Sequence, residues 1–402
     1  MSALEIDVGT RARDSRHSTV PHYDVELIRS WKDAASLLRG AAAGAQMTPF
    51  QHPHWLGAWF DGQQWNVQRR PLIAVVRKQG QPRILAVLPL VIEHRRGLRI
   101  GEPAGGADYN APILLADPAD PPVEPHAFWE AIRRALAAAP DGCDIVRFRK
   151  MPAAIGSLPN PFALLPGTTP CALLGHRLEP GDDYEAHRFS RERRYRKELE
   201  RSWRVFTRHD GASFERITDQ SRALEVFATL ETQQSERMQD LGKDYTLGDE
   251  ASSAFHRDLI RRGIEDGYVV LTALTCGETI VAALLGLRLS STYLMLRISN
   301  AGEAWANCSP GRLIIEQTMM ALHADGVRSF DFSVGTYEYK RRFGVADVPL
   351  RDLTAAVTWR GRALIAAERA ARSMTRWLGE IKPRRQPRPC RPRPGFRLLP
   401  VG

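Results

Sequence analysis

Asp331, Tyr337 and Tyr339 stand close together in this chain. They supply a carboxylate able to orient or deprotonate a nucleophile and two phenols able to return a proton. Three cations, Lys340, Arg341 and Arg342, follow directly and offer charge to an anion. Upstream lies Ser309-Pro310-Gly311-Arg312. Serine suits a helix N-cap, proline the first helical position, and glycine leaves the amides of the first turn uncovered. Unpaired amides at the positive end of a helix dipole receive anions such as phosphate, and Arg312 adds a charge there. The same tripeptide can also cap a core helix and nothing more, so the neighbouring elements decide.

Those elements are two strands that flank the helix. Residues 293–298 are apolar and β-branched enough for a buried strand, and residues 329–334 give a second with Phe330, Phe332 and Val334 alternating. Asp325-Gly326 closes the helix between them. The alternation sends Phe330 and Phe332 to one face and Asp331 to the other, where a buried strand would carry an apolar side chain. A carboxylate in that place needs a partner, either a structural cation or the group on which it acts. Strand, anion-ready helix, then a parallel strand ending in Asp331 and the tyrosines is the layout of an acyl-CoA pyrophosphate site.

Through Ser309-Pro310-Gly311, Phe330-Asp331-Phe332 and the run from Tyr339 to Gly344, the chain resembles the GNAT-like acetyltransferase family related to the CelD/BcsL cellulose-biosynthesis proteins. More distantly it is similar to the FemAB-type transferases. The resemblance implies an α/β fold: a tandem of GNAT-like (acyl-CoA N-acyltransferase) domains with mixed central sheets, the C-terminal unit being the active one. It also implies acetyl-CoA or another acyl-CoA as co-substrate; the absence of metal-binding motifs sets the expectation of no metal. In such folds two parallel strands splay, and the open edge of one holds the pantetheine through backbone groups. That assigns Arg297, Ile298, Ser299 and Asn300 to the thioester strand. Ser309, Pro310, Gly311 and Arg312 become the pyrophosphate cradle, with Lys340 directed at the CoA nucleotide or an anionic acceptor.

By the same resemblance Asp331 orients or deprotonates the acceptor, a strand-edge salt bridge being its competing role. Tyr337 and Tyr339 donate a proton to the thiolate, with packing as the alternative. The segment ETQQSERMQDLG, residues 231–242, is similar to the family's helix that carries an arginine ahead of the acceptor pocket. Arg237 is therefore an acceptor-side candidate, against a plain surface charge. Asp108-Tyr109-Asn110 resembles the family's Asp-Tyr loop that reaches toward the acceptor, against a plain turn. The implied partner is a small-molecule or saccharide acceptor, with an amine or hydroxyl of a sugar, lipid or exopolysaccharide precursor as nucleophile. The two-glycine GNAT signature is reduced here to Ser-Pro-Gly.

The 402 residues, 43% of them hydrophobic, exceed one ordinary domain and can fill two cores. The sequence divides into an N-terminal extension (1–20), a degenerate GNAT-like unit (21–172), a C-terminal acyltransferase unit with a basic connecting helix (173–360), and a C-terminal helix with a basic tail (361–402). No apolar run is long enough to cross a membrane and no signal peptide is evident, which makes the cytoplasm the expected compartment. The five cysteines are odd in number and form no CxxC pair, so neither a disulfide framework nor a zinc ribbon is indicated. Cys308 has no histidine placed beside it for covalent catalysis. HExxH, GxSxG and P-loop sequences are absent, and His52-Pro53-His54 lacks the spacing of a helical metal pair.

Of the net charge of +10, much lies between 382 and 397, where seven basic residues meet no acid. That proline-broken tail reads as extended and solvated, with weak contact to an acidic membrane surface as the alternative and no strong case for nucleic acid.

Along the chain, residues 23–29, 72–77 and 84–92 read as strands and 31–43 as a helix. A tryptophan-rich segment opens at Thr48, and a glycine-rich loop spans 103–110. Residues 127–139 form a helix and 144–148 a strand, followed by a proline-rich crossing at 151–170. The second half repeats this order, with strands at 268–275 and 279–289 around Gly277-Glu278 as the first pair is around Gly80-Gln81. Before its helix the first half has the acidic DPADPPVEP, a poor place for a pyrophosphate, so only the second half is equipped for CoA. Residues 184–203 read as one arginine-dense helix, a solvated connector or a surface for a phosphate-bearing partner. The latter would fit a FemAB-like transferase using aminoacyl-tRNA. A third reading is a catalytically inactive accessory protein of polysaccharide biosynthesis. The helix at 224–241 carries Gln234 and Arg237 on neighbouring positions, and Phe255-His256 opens the helix that leads to Gly267.

Overall fold

The computed structural model describes residues 22–39, 44–115, 123–242, 245 and 248–381. The first half runs β1 (Tyr23–Ile28), α1 (Trp31–Arg39), a 3₁₀ turn at Pro49–Gln51, α2 (Pro53–Asp61), β2 (Arg69–Lys78), β3 (Ile84–Arg95), β4 (Leu98–Pro103), β5 (Ile113–Leu114), α3 (Pro125–Ala138) and β6 (Ile145–Pro152). A small hairpin, β7 (Ala154–Ile155) and β8 (Leu158–Pro159), follows. The second half runs β9 (Thr169–Leu178), α4 (Tyr184–Ser190), α5 (Arg193–Phe206), β10 (Ala212–Ile217), α6 (Gln220–Asp240), α7 (Glu250–Gly263), β11 (Val269–Cys276), β12 (Thr279–Leu289) and β13 (Thr292–Asn300). A 3₁₀ turn at Glu303–Cys308 then leads to α8 (Pro310–Ala324), β14 (Ser329–Val334), α9 (Glu338–Arg342), β15 (Ala346–Ala356) and α10 (Trp359–Ile381).

One mixed sheet contains thirteen of these strands, in the order β1-β2-β3-β4-β6-β15-β9-β14-β13-β12-β11-β10, with β5 beside β3. The tandem is visible in the pairing. An antiparallel run β1 to β4, a helix and a parallel β6 in the first half match β10 to β13, a helix and a parallel β14 in the second. β9 (Thr169–Leu178) runs unbroken across the boundary expected at 172/173, and β15 lies antiparallel to both β6 and β9. The last strand thus joins the two halves.

Period-two alternation splits each inner strand between two apolar layers. Ile73 and Val75 enter a layer shared by both halves, together with Leu271, Ala273 and Leu285 from the second half, whereas Leu72, Ala74 and Val76 face a core around Phe128 and Phe162. A third core holds Leu313, Phe330 and Phe332 under α8. No described helix is long and apolar enough to cross a membrane.

Two expectations change. Residues 184–203 are two helices, not one, because the chain breaks after Ser190 and turns Arg191 inward. Its Nη1 donates to Glu316 Oε2 at 2.6 Å and its Nη2 to the Tyr184 hydroxyl at 3.2 Å. A guanidinium buried this deeply needs its carboxylate, and a continuous helix would not deliver it to α8. The C-terminal helix begins at Trp359, and the extension at 1–20 and the basic tail beyond 381 lie outside the described residues.

Candidate functional site

β13 and β14 pair in parallel through Thr292–Ser329, Tyr293–Phe330 and Leu294–Asp331, and their pairing ends there. β13 continues to Asn300, so its edge toward β14 is left free over residues 295–300. On its other edge the register with β12 slips between Leu285 and Gly286, and Leu296 is the extra residue. The splayed strands expected from resemblance are therefore present, with a bulge at the widening point.

The wedge opens into a cavity of about 570 Å³ between the C-terminal part of α6 and the start of α8. Ile298 and Asn300 line it from β13, Ser309 to Arg312 from α8, Arg237 from α6 and Tyr339 from α9. A β-carbon on Gly311 would meet only Asn300 Nδ2, at 3.5 Å, so this position opens into the cavity. Ser309 differs from the expected side-chain cap. It adopts a left-handed conformation (φ 48°), and its hydroxyl accepts from Arg312 Nη2 at 2.6 Å. The Arg312 and Leu313 amides bond to the Ser309 carbonyl, which leaves the Gly311 amide as the open donor of that turn among the described residues. Arg312 also pairs with Glu198 at 2.7 Å. Burial pushes the Tyr339 phenol up to about 12, so it keeps its proton at neutral pH, whereas Tyr337 is 60% exposed and stacks on Tyr339 from outside.

Several expected site residues lie elsewhere. Arg297 is 3% exposed and its side chain does not enter this cavity. Its Nε and Nη2 donate to Gln234 Oε1 at 3.0 and 2.7 Å, Nη1 lies 3.5 Å from Glu231, and Tyr245 is a further partner. Ser299 Oγ donates to Gln233 Oε1 at 2.7 Å. Both side chains tie β13 to α6, which leaves only their backbone to the open edge. Lys340 is also buried, and its ammonium donates to the carbonyls of Ser333 and Val334 at 3.3 and 2.9 Å. Instead of meeting an anion it anchors α9 to the end of β14, and burial lowers it to about 8.

Asp331 is 2% exposed and is absent from the cavity that collects the cradle residues. Its Oδ1 accepts from the Tyr109 phenol at 2.8 Å and from the Ser333 amide at 2.7 Å, and Arg177 Nη2 stands 3.5 Å from Oδ2. Gly175 makes room for this, since a β-carbon there would sit 2.5 Å from the Tyr109 hydroxyl. Burial outweighs these partners and raises the carboxyl above its ordinary range. Asp108 beside Tyr109 accepts from Ser333 Oγ at 2.5 Å and pairs with Lys150 at 3.2 Å. The Asp-Tyr loop therefore reaches across the halves, and what it meets is the end of β14.

A second cavity of about 450 Å³ lies between the halves, lined among others by Trp55, Trp59, Asp108, Phe255, His256 and Arg297. His256 lies on α7, and its Nδ1 partner is the backbone carbonyl of Ser252, a contact that no side-chain pattern in the sequence marks. Among the described residues no group of histidine, cysteine and carboxylate side chains is arranged to hold a metal.

Burial pushes three imidazoles, those of His52, His187 and His256, down to about 4. An unfolded histidine titrates near ~6.5, so below that the unfolded chain binds protons that the folded chain refuses. Stability is complete above that value and is lost as pH falls toward about 4. Urea unfolding at about pH 7 and about pH 5 should show this loss, and His187→Gln should reduce it; equal stability at both pH values would contradict the buried neutral rings.

Residues 193–341 match the model of the acetyltransferase (GNAT) domain. No curated protein matches the sequence. Among solved structures, FemX superposes with a TM-score of 0.54 at 11% identity, covering 81% of this chain and 96% of FemX. The C-terminal domain of a putative lysylphosphatidylglycerol synthetase from Agrobacterium fabrum gives 0.51 at 13% identity, covering 84% of this chain and 96% of that domain. At such identities these structures show the fold alone.

Proposed function

We propose, for a chain that carries a GNAT acetyltransferase domain, that it transfers an acyl group, acetyl in the simplest case, from an acyl-CoA to an amine or hydroxyl of a sugar, lipid or polysaccharide precursor. One observation carries this reading: the β13 edge freed beyond Leu294 runs directly into the cavity at the start of α8. The residues there suit the co-substrate. The backbone of residues 295–300 can pair with an extended amide-bearing arm, as another strand would. Gly311 presents an amide without a side chain in the way, and the helix dipole and Arg312 favour phosphate oxygens beside it. A bound acyl-CoA would supply an acyl thioester at the far end of that arm. Tyr339, protonated at neutral pH, is the donor available to a departing sulfur.

An aminoacyl-tRNA-dependent reaction is the second reading, and a specific feature favours it: Arg193, Arg194, Lys197, Arg201 and Arg204 are all exposed on α5. Calorimetry with acetyl-CoA and, separately, with aminoacylated tRNA distinguishes the two. Saturable heat with acetyl-CoA and none with tRNA is expected. Binding of tRNA alone would overturn the acyl-CoA reading, and binding of neither would favour an inactive accessory.

A further inference from the structure

The second cavity holds a histidine arranged to accept a proton. His256 Nδ1 lies 2.7 Å from the carbonyl oxygen of Ser252, one turn earlier on α7. A carbonyl oxygen only accepts, so Nδ1 is the protonated nitrogen. The 3.4 Å approach of Arg297 Nη1 to the same atom is then a charge contact, because a protonated Nδ1 has no lone pair to offer. Nε2 must carry the lone pair. Although the residue is only 6% exposed, Nε2 has no partner among the described residues and is not a polar atom sealed away from solvent. It therefore opens into the cavity that His256 lines.

The rest of the wall indicates a guest. Trp55, Trp59 and Phe255 present ring surface, and the Trp55 indole N–H is already bonded to the Gly105 carbonyl at 2.9 Å. Gln63, Ser252 and Asp108 add polar groups at the rim. Aromatic side chains beside a hydrogen-bonding edge suit a ring with apolar C–H faces and polar substituents, which is the chemistry of a saccharide. The charged groups around His256 are Arg297 of β13, with Glu231 of α6 behind it, and Asp108 of the loop after β4.

We infer that this cavity binds a saccharide ring of the acceptor and that His256 Nε2 takes the proton of its attacking O–H or N–H. The inference rests on the acyl-CoA reading. Leu296 and Arg297 line this cavity and Ile298 lines the other, so both cavities border the same stretch of the free β13 edge. As the acceptor oxygen or nitrogen bonds to the acyl carbon, the carbon–sulfur bond breaks; His256 takes the proton from the acceptor and Tyr339 gives one to sulfur. Burial and Arg297 keep the imidazole uncharged at neutral pH, so its lone pair is free, and the same two causes make it a weak base that takes the proton only as the carbon–sulfur bond breaks.

His256→Asn tests this, because an amide nitrogen near the Nδ1 position can still donate to Ser252 while Nε2 is gone. The probes are D-glucosamine and chitobiose. In the parent, at least one sugar should change tryptophan emission and shift an unprotonated Nε2 signal of ¹⁵N-labelled histidine that is missing from the variant. With that sugar present, thiol release from acetyl-CoA should fall about a hundredfold in His256→Asn. Acetyl-CoA binding and melting temperature should stay unchanged. A protonated Nε2, no response of either signal to both sugars, no sugar-dependent thiol release by a parent that binds acetyl-CoA, or parent-like turnover by the variant would each overturn the inference. Failure of the parent to bind acetyl-CoA would instead remove the underlying reading, and the inference with it.

Discussion

Gly311→Trp should abolish acetyl-CoA binding while leaving the protein folded. Its side chain would project into the cavity beside Asn300, where no backbone stands in the way. An indole there occupies the space a phosphate needs next to the Gly311 amide, and it crowds the end of the free β13 edge. The helix itself loses nothing, since glycine is among the poorest helix formers. The expected loss is at least about a hundredfold in affinity, or ~2.7 kcal/mol, with a melting temperature at or above the parent's. Calorimetry on the folded variant decides the matter: parent-like binding would move the pyrophosphate away from α8 and remove the cradle.

Asp331→Ala should destabilise the fold by about 3 kcal/mol, and Asp331→Asn by much less. Alanine leaves the buried Tyr109 hydroxyl and the Ser333 amide without an acceptor, and each orphaned group costs about 1–3 kcal/mol. Arg177 adds little to the loss, because its side chain is 39% exposed and solvent can take over its charge. Asparagine keeps an acceptor oxygen for both donors and removes a charge whose burial is already unfavourable, as the raised carboxyl shows. Denaturant melts of both variants measure this. A catalytic base would show itself in turnover instead, with Asp331→Asn equally stable but slower by about 10²- to 10⁴-fold. That outcome would return Asp331 to the chemistry.

Local pattern carried the reading of this chain a long way and then failed for identifiable reasons. The tandem order and the β13–α8–β14 unit could both be read from alternation and from Ser-Pro-Gly and Asp-Gly punctuation. β15 could not, because Pro349 lies within ADVPLRDLTAA and proline argues against an inner strand. The sheet accommodates it where the register between β15 and β9 shifts, between Pro349 and Arg351. β9 was hidden as well, since its first residues are largely exposed and show no clean alternation. Within the site, the residues meeting the cavity through backbone or small side chains were legible from their motif. Long polar side chains were not: Arg297 and Arg191 each reach a partner far away in sequence, Lys340 turns back onto two carbonyls at the end of β14, and nothing in their neighbours records those contacts.

The place of β15 bears on how the chain becomes a protein in time. Its partners β6 and β9 are synthesised long before it, and neither can complete its pairing on that side until residues 346–356 have been made. During synthesis the first half therefore waits with an unpaired inner edge, so the two halves cannot mature one after the other as independent domains commonly do. Closure is a late, long-range event that involves both halves, and a chain stopped before Ala346 has an incomplete sheet centre, however much of its second half it contains.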